Sequence, residues 1–114
     1  MPGYLSLAHC TVDPVRDSPA ARARSPLKIA ESLARGVPVV TGDVGDRRET
    51  LLGDVRCGVI VAPGDPRALA DGIVDMLRDR AARDAMSAAA LNRARSLVWP
   101  TLVDRWESIY QAAP

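Results

Sequence analysis

SPLKIAESLARGVPVVT, residues 25–41, sets a helix directly against a strand. Ser25-Pro26 is a helix start: a serine side chain accepts bonds from the free amides of a first turn, and proline fits the first helical position. The helix expected here runs over 25–35 and stops at Gly36. Its apolar positions, Pro26, Ile29, Ala30, Leu33 and Ala34, follow the i, i+3, i+4, i+7, i+8 pattern of one buried face. Lys28, Glu31 and Arg35 lie together on another face. Val37 to Thr41 follows at once, a short β-branched run of the kind buried in a parallel sheet.

Working outward, a short helix is expected over 2–8 and a strand over 9–13, ended by Pro14, which cannot donate to a sheet ladder. Residues 14–24, with two prolines and several arginines, read as a loop. Downstream, Gly42 to Gly45 is a turn, Asp46 caps a helix over 46–52, and Gly53 and Gly58 bracket a second turn. Val59 to Ala62 is another buried strand, and the stretch from Pro63 to Pro66 is a turn and helix cap. The next helix is expected to bury Leu69, Ala70, Ile73, Val74 and Leu77. A further helix, over about 81–97, buries Ala85, Met86, Ala89, Ala90, Ala94 and Leu97. The last starts near Pro100 and carries Leu102, Val103, Trp106, Ile109 and Tyr110, with Trp99 and Trp106 as its anchors. Short buried strands alternating with helices mean parallel β-α-β units. The expected class is α/β, a partial Rossmann-like parallel sheet of about three strands where a doubly wound sheet commonly has five or six.

The 114 residues allow one domain at most, and no phenylalanine is present, so aliphatic side chains must fill the core. The formal net charge of +1, with acids and bases interleaved, excludes a dedicated nucleic-acid surface, which needs clustered Lys and Arg. Cys10 and Cys57 fit neither a zinc spacing nor a disulfide framework and read as reduced thiols. No apolar run approaches the roughly 20 residues of a membrane span, and the N-terminus lacks the charged region and apolar stretch expected of a signal peptide. A cytoplasmic location is the expectation.

In open parallel sheets ligands bind beyond the carboxyl ends of the strands. Two loops qualify: 14–25, leading into the helix at Pro26, and 42–45. The first suits an anion, because a helix start offers free N–H groups and the positive end of the dipole. Lys28, the only lysine, adds a cation, and Glu31, one turn on, can accept bonds from vicinal hydroxyls of a ribose. The pattern also has a plain reading, in which Glu31 pairs with Arg35 at i, i+4, a contact of about 0.3–0.5 kcal/mol. His9 reads as structural, Asp13 as a turn-former at a strand end, and Arg47-Arg48 as a solvated helix face.

The segment SPLKIAESLARGVPVVTGDVGDRRETL, residues 25–51, resembles the donor-site segment of family 4 glycosyltransferases. Pro26, Glu31-Ser32-Leu33-Ala34, Gly36, Pro38-Val39-Val40, Gly45 and Glu49 stand at the family's motif positions. CGVIVAPGDPRALADGIVDML, residues 57–77, looks like its following strand, turn and helix. The tail resembles a terminal helix that crosses back to the N-terminal domain. The resemblance implies a GT-B fold, with this chain as the second half of the C-terminal nucleotide-sugar-binding domain, over residues 1–114. It implies a retaining glycosyltransferase using a nucleoside-diphosphate sugar, with Glu31 on the ribose hydroxyls, amides around Leu27 and Lys28 on the diphosphate, and Ser25 and Pro26 against the donor sugar. No catalytic residue is implied within the chain. Ala23 stands where the family has the first glutamate of its pair, a departure that touches the donor sugar. No metal or other cofactor is implied. The implied partners are the nucleotide sugar and an N-terminal domain or complementing chain, with no nucleic acid and with peripheral membrane association open to the full enzyme. The alternatives are a nucleotide-binding remnant or interaction module and a sugar-nucleotide epimerase of the same fold. The segment from Gly36 to Glu49 resembles the transferase version rather than the epimerase.

Overall fold

A computed structural model describes residues 2–113 of the chain. Among them, three strands form one parallel sheet in the order β1 (Thr11–Asp13), β2 (Val39–Gly42), β3 (Gly58–Val61). Register is direct: Thr11 lies opposite Val39 and Asp13 opposite Thr41, while Val39 pairs with Gly58 and Gly42 with Val61. All three carboxyl ends therefore open on the same side. The helices are α1 (Pro2–Leu5), α2 (Pro19–Ala23), α3 (Leu27–Ala34), α4 (Arg47–Leu52), α5 (Pro66–Arg78), α6 (Arg80–Ala94) and α7 (Trp99–Ala112), with a 3-10 turn over Arg95–Leu97.

Every residue of β2 is buried, and its alternating side chains feed two cores. Val39 joins Ile29 and Leu33 of α3, Leu51 of α4, Cys57, and Ala89 and Ala90 of α6. Val40 faces the other way and packs with Met76 of α5 and Met86 of α6. Helices thus cover both faces, and α6 reaches both cores. The helix α3 ends as expected at Gly36, whose φ of 70° suits a residue without a Cβ. The amides of Arg35 and Gly36 donate to the carbonyls of Ser32 and Leu33.

Several boundaries and faces differ from the sequence expectation. The helix expected over 25–35 begins at Leu27, with Pro26 at the cap position and no side-chain capping bond. The Ser25 hydroxyl donates instead to Asp46 Oδ2 at 2.8 Å, so neither residue caps a helix with its side chain. The expected loop over 14–24 contains α2, capped by Ser18, whose hydroxyl accepts from the amide of Ala21. The first helix stops at Leu5, and β1 begins only at Thr11. Ala34 is exposed while Ser32 is buried. The Ser32 hydroxyl donates to the carbonyl of Lys28 and accepts from Thr11, which makes its burial tolerable.

On α5 the buried residues are Gly72 and Met76. Ala70, Val74 and Leu77 are exposed, against expectation. The cause is close helix–sheet approach, since a Cβ on Gly72 would come within 3.0 Å of Val61 and 3.2 Å of Val40. The face carrying Gly72 and Met76, with Leu69 and Ile73 partly buried against the Val40 core as expected, meets the sheet. Ala85 of α6 is exposed too, while Met86, Ala89 and Ala90 are buried as expected. The anchoring role expected of Trp99 and Trp106 is not seen: they are 78% and 59% exposed, and α7 buries no residue. That helix projects from the body, giving a radius of gyration of 15.0 Å where about 13 Å is usual for this length.

Two outcomes follow from this packing. Leu33→Ala should cost about 2–5 kcal/mol, as for a core leucine, read as a lower urea midpoint with an unchanged slope. The apolar row Trp99, Val103, Trp106, Ile109 and Tyr110 is exposed, and patches of several hundred Å² favour association. Sedimentation velocity should therefore show self-association of the chain, and Trp106→Glu/Ile109→Glu should reduce it. A monomer at high concentration would contradict this.

Candidate donor site at the strand ends

Asp13 is the last residue of β1 and is 3% exposed. Its Oδ2 accepts from Thr41 Oγ1 at 2.7 Å, on the neighbouring strand, and from Arg47 Nε at 2.8 Å, on the first turn of α4. Its Oδ1 lies 2.7 Å from Lys28 Nζ, on the first turn of α3. One carboxylate thus joins β1, β2, α3 and α4. Arg47 also donates through Nη1 to the carbonyls of Val44, at 3.2 Å, and Ala21, at 3.5 Å. Its Nη2 has no partner among the described residues. The Val44–Asp46 turn that delivers Arg47 needs Gly45, whose φ is 63° and where a Cβ would lie 2.9 Å from the carbonyl oxygen of Arg22.

The expectation that Arg47-Arg48 is a solvated face is thereby half corrected. Arg48 is exposed and pairs with Asp43 at 2.7 Å, while Arg47 has no exposed side-chain surface. The signals were in the sequence. Arg47 stands four residues before the buried Leu51, on the same side of a helix, and Thr41 is a polar residue in an otherwise apolar buried strand. Asp13 is more than the turn-former read from sequence, because its carboxylate organises the strand ends.

Burial alone would push the Asp13 carboxyl up; the bonds from Lys28, Arg47 and Thr41, with the charge of Lys28, outweigh it and hold it below the usual aspartate range. His9 is exposed. It borders a polar cavity with Arg80 and Arg83 away from this cluster.

The candidate residues fall into place around Asp13. Lys28 and Glu31 line one pocket of about 180 Å³ with Thr11, Asp13 and Ser32. Glu31 is exposed and has no ion-pair partner among the described residues, so the Glu31–Arg35 pair does not form. Leu27 is exposed at the helix start. Ser25 and Pro26 line a separate, smaller cavity with Asp46 and Arg47, so the structure does not bring them into the Lys28–Glu31 pocket. Ala23 ends α2 and is exposed. A roomier cavity of about 310 Å³ opens between Val15, Arg16, Gly42, Val61 and Leu69, also at the carboxyl ends. Arg16 and Asp65 are among its lining residues, while Asp13, Lys28 and Glu31 line the smaller pocket. No group of three or more His, Cys, Asp or Glu able to hold a metal occurs among the described residues, and no helix there is long and apolar enough to cross a membrane.

A parallel α/β layer with a charged cluster at the carboxyl ends of its strands defines a Rossmann-like fold. Residues 1–79 match the model of the family described as Glycosyl transferases group 1, and the chain belongs to that family of enzymes. It is similar to the D-inositol 3-phosphate glycosyltransferase of Nocardioides sp., at 36% identity over 87 residues, covering 76% of this chain and 19% of the relative. It is also similar to the phosphatidyl-myo-inositol mannosyltransferase of Mycobacterium leprae, at 32% identity over 83 residues, covering 73% and 22%. Among solved structures, the sucrose-phosphate synthase from Thermosynechococcus elongatus superposes with a TM-score of 0.78 at 28% identity, covering 95% of this chain and 26% of that one. The match shows the α/β layer to be that of a GT-B glycosyltransferase. The chain spans about a fifth of the length of the curated relatives it matches.

The depressed Asp13 pKa has a direct consequence. The stability this carboxylate supplies is complete above the unfolded aspartate value, about 3.9, and is lost as pH falls through the lower folded value. Asp13→Asn should cost about 3–5 kcal/mol near neutral pH by leaving Arg47 buried without its partner, and it should flatten the acid limb of a stability–pH curve. Asp17→Asn, which breaks only the exposed Arg22 pair, should change little. Equal acid limbs for wild type and Asp13→Asn would contradict this.

Proposed function

We propose that this chain is the donor-binding part of a retaining GT-B glycosyltransferase that transfers a sugar from a nucleoside diphosphate to an acceptor. The observation that carries the reading is the placement of Lys28 and Glu31 in one pocket beside Asp13, at the start of α3 and the carboxyl end of β1. The first-turn amides and dipole of α3 favour an anion. Lys28 supplies a mobile positive charge, and Glu31, with no ion-pair partner among the described residues, is open to ribose hydroxyls. In this reading Leu27 and Lys28 hold the diphosphate, and Ser25 and Pro26 form the turn beside the sugar. Protein charge and the helix dipole offset the diphosphate, with no metal called on. Ala23 offers the sugar no hydrogen bond, so sugar contacts fall to other groups.

A pocket of about 180 Å³ is below the 300–1,000 Å³ usual for a ligand of this size. The remainder of the site, and the acceptor, belong in this reading to a further domain or a complementing chain. The cytoplasm, where nucleotide sugars are available, is the proposed location. As a lone piece the chain is a nucleotide-binding module rather than a catalyst.

Binding separates these contributions. A nucleoside diphosphate should shift the amides of Leu27 and Lys28 in NMR titrations and bind more tightly than the nucleoside. Glu31→Gln should weaken the nucleoside diphosphate by about three- to tenfold, less than the usual worth of a charge-assisted bond because the carboxylate stands in solvent, and leave inorganic diphosphate unchanged. Silent amides in a folded sample would remove the donor site from this chain.

A further inference from the structure

The Asp13 cluster holds two cations against one carboxylate, and the two are held very differently. Arg47 cannot leave. Its side chain is wholly buried, its Nε is bonded to Asp13 Oδ2, and its Nη1 is tied to the carbonyls of Val44 and Ala21. Thr41 Oγ1 shares Oδ2 and turns the other oxygen, Oδ1, toward Lys28. Lys28 is a tether of the opposite kind. Its side chain is 59% exposed and Asp13 is its one ion-pair partner among the described residues, so solvent and a flexible stem make its departure cheap.

We propose that Arg47 is the resident counter-ion of Asp13 and so a positioning residue, which leaves the Lys28 ammonium free to transfer to an anionic oxygen, such as that of a diphosphate, at the start of α3. This rests on the donor-site reading. If Lys28 were the sole partner of Asp13, its transfer to a ligand would strand a buried carboxylate, and burying an unpaired charge is costly. With Arg47 in place the carboxylate stays neutralised whichever way Lys28 points. Arg47 touches no ligand in this scheme. It acts through Asp13, and a guanidinium, which keeps its charge at all working pH values, suits a permanent counter-ion.

The chain's single lysine makes the test direct. In ¹⁵N-labelled wild type, inorganic diphosphate should shift the Lys28 Nζ signal and leave the Arg47 Nε signal where it was. Arg47→Met, which keeps the bulk and removes the charge, should bind inorganic diphosphate about tenfold more weakly. Asp13→Asn/Arg47→Met, with no carboxylate left to detain Lys28, should recover to within about threefold of wild type. A merely structural role for Arg47 predicts no recovery. Wild-type affinity in folded Arg47→Met, or a double variant as weak as the single one, overturns the proposal and leaves the donor site standing. Should Arg47→Met fail to fold, the wild-type signals decide: an Arg47 Nε that moves with Lys28, or a still Lys28 Nζ beside shifting Leu27 and Lys28 amides, overturns it. Amides that do not respond to diphosphate at all remove the donor site, and this proposal with it.

Discussion

One carboxylate holds the ligand side of this molecule together. Asp13 ends β1, and it gathers a hydroxyl from β2, a guanidinium from α4 and an ammonium from α3. A buried aspartate is tolerable only when paired and hydrogen-bonded, and each of these partners comes from a different element. The constraint works in both directions. The carboxylate needs its partners to remain ionised in the interior, and the start of α4 takes its position over the sheet from the buried bond that Arg47 makes to it.

The apolar core supplies a different part of the architecture. Val39 and Val40 point to opposite faces of β2 and meet separate sets of helical side chains, which is why helices must cover both faces. The core sets the distance between layers, and Gly72 shows how short that distance is between α5 and the sheet. The polar cluster then sets which helix start stands beside which strand end. Strand ends and helix starts converge there, where amide N–H groups can meet an anion.

The projecting α7 belongs to the same picture. The helix exposes two tryptophans and a tyrosine, with Trp106 and Tyr110 in tilted contact, ring centroids 6.2 Å apart. Such a surface is at odds with a free monomer. It agrees with a chain that spans about a fifth of the length of its relatives.

Local chemistry was enough to show the alternation of strands and helices, the stop at Gly36, the buried β2 and the place of Lys28 and Glu31 at the start of α3. Each of these depends on neighbours within a turn or two: periodicity, β-branching, and a glycine free to take positive φ. The partners of Asp13 were not legible in the same way, because Thr41 and Arg47 lie 28 and 34 residues further along the chain and meet it only when the parallel register sets the strand ends side by side. The same holds for Ser25, which looked like a helix cap and instead bonds Asp46, 21 residues away. Whether Arg47 would face water or the interior, and whether Trp106 would be an anchor or an exposed ring, depended on what the fold brought against each helix. Period along a chain says which residues share a face; only tertiary packing decides what that face meets.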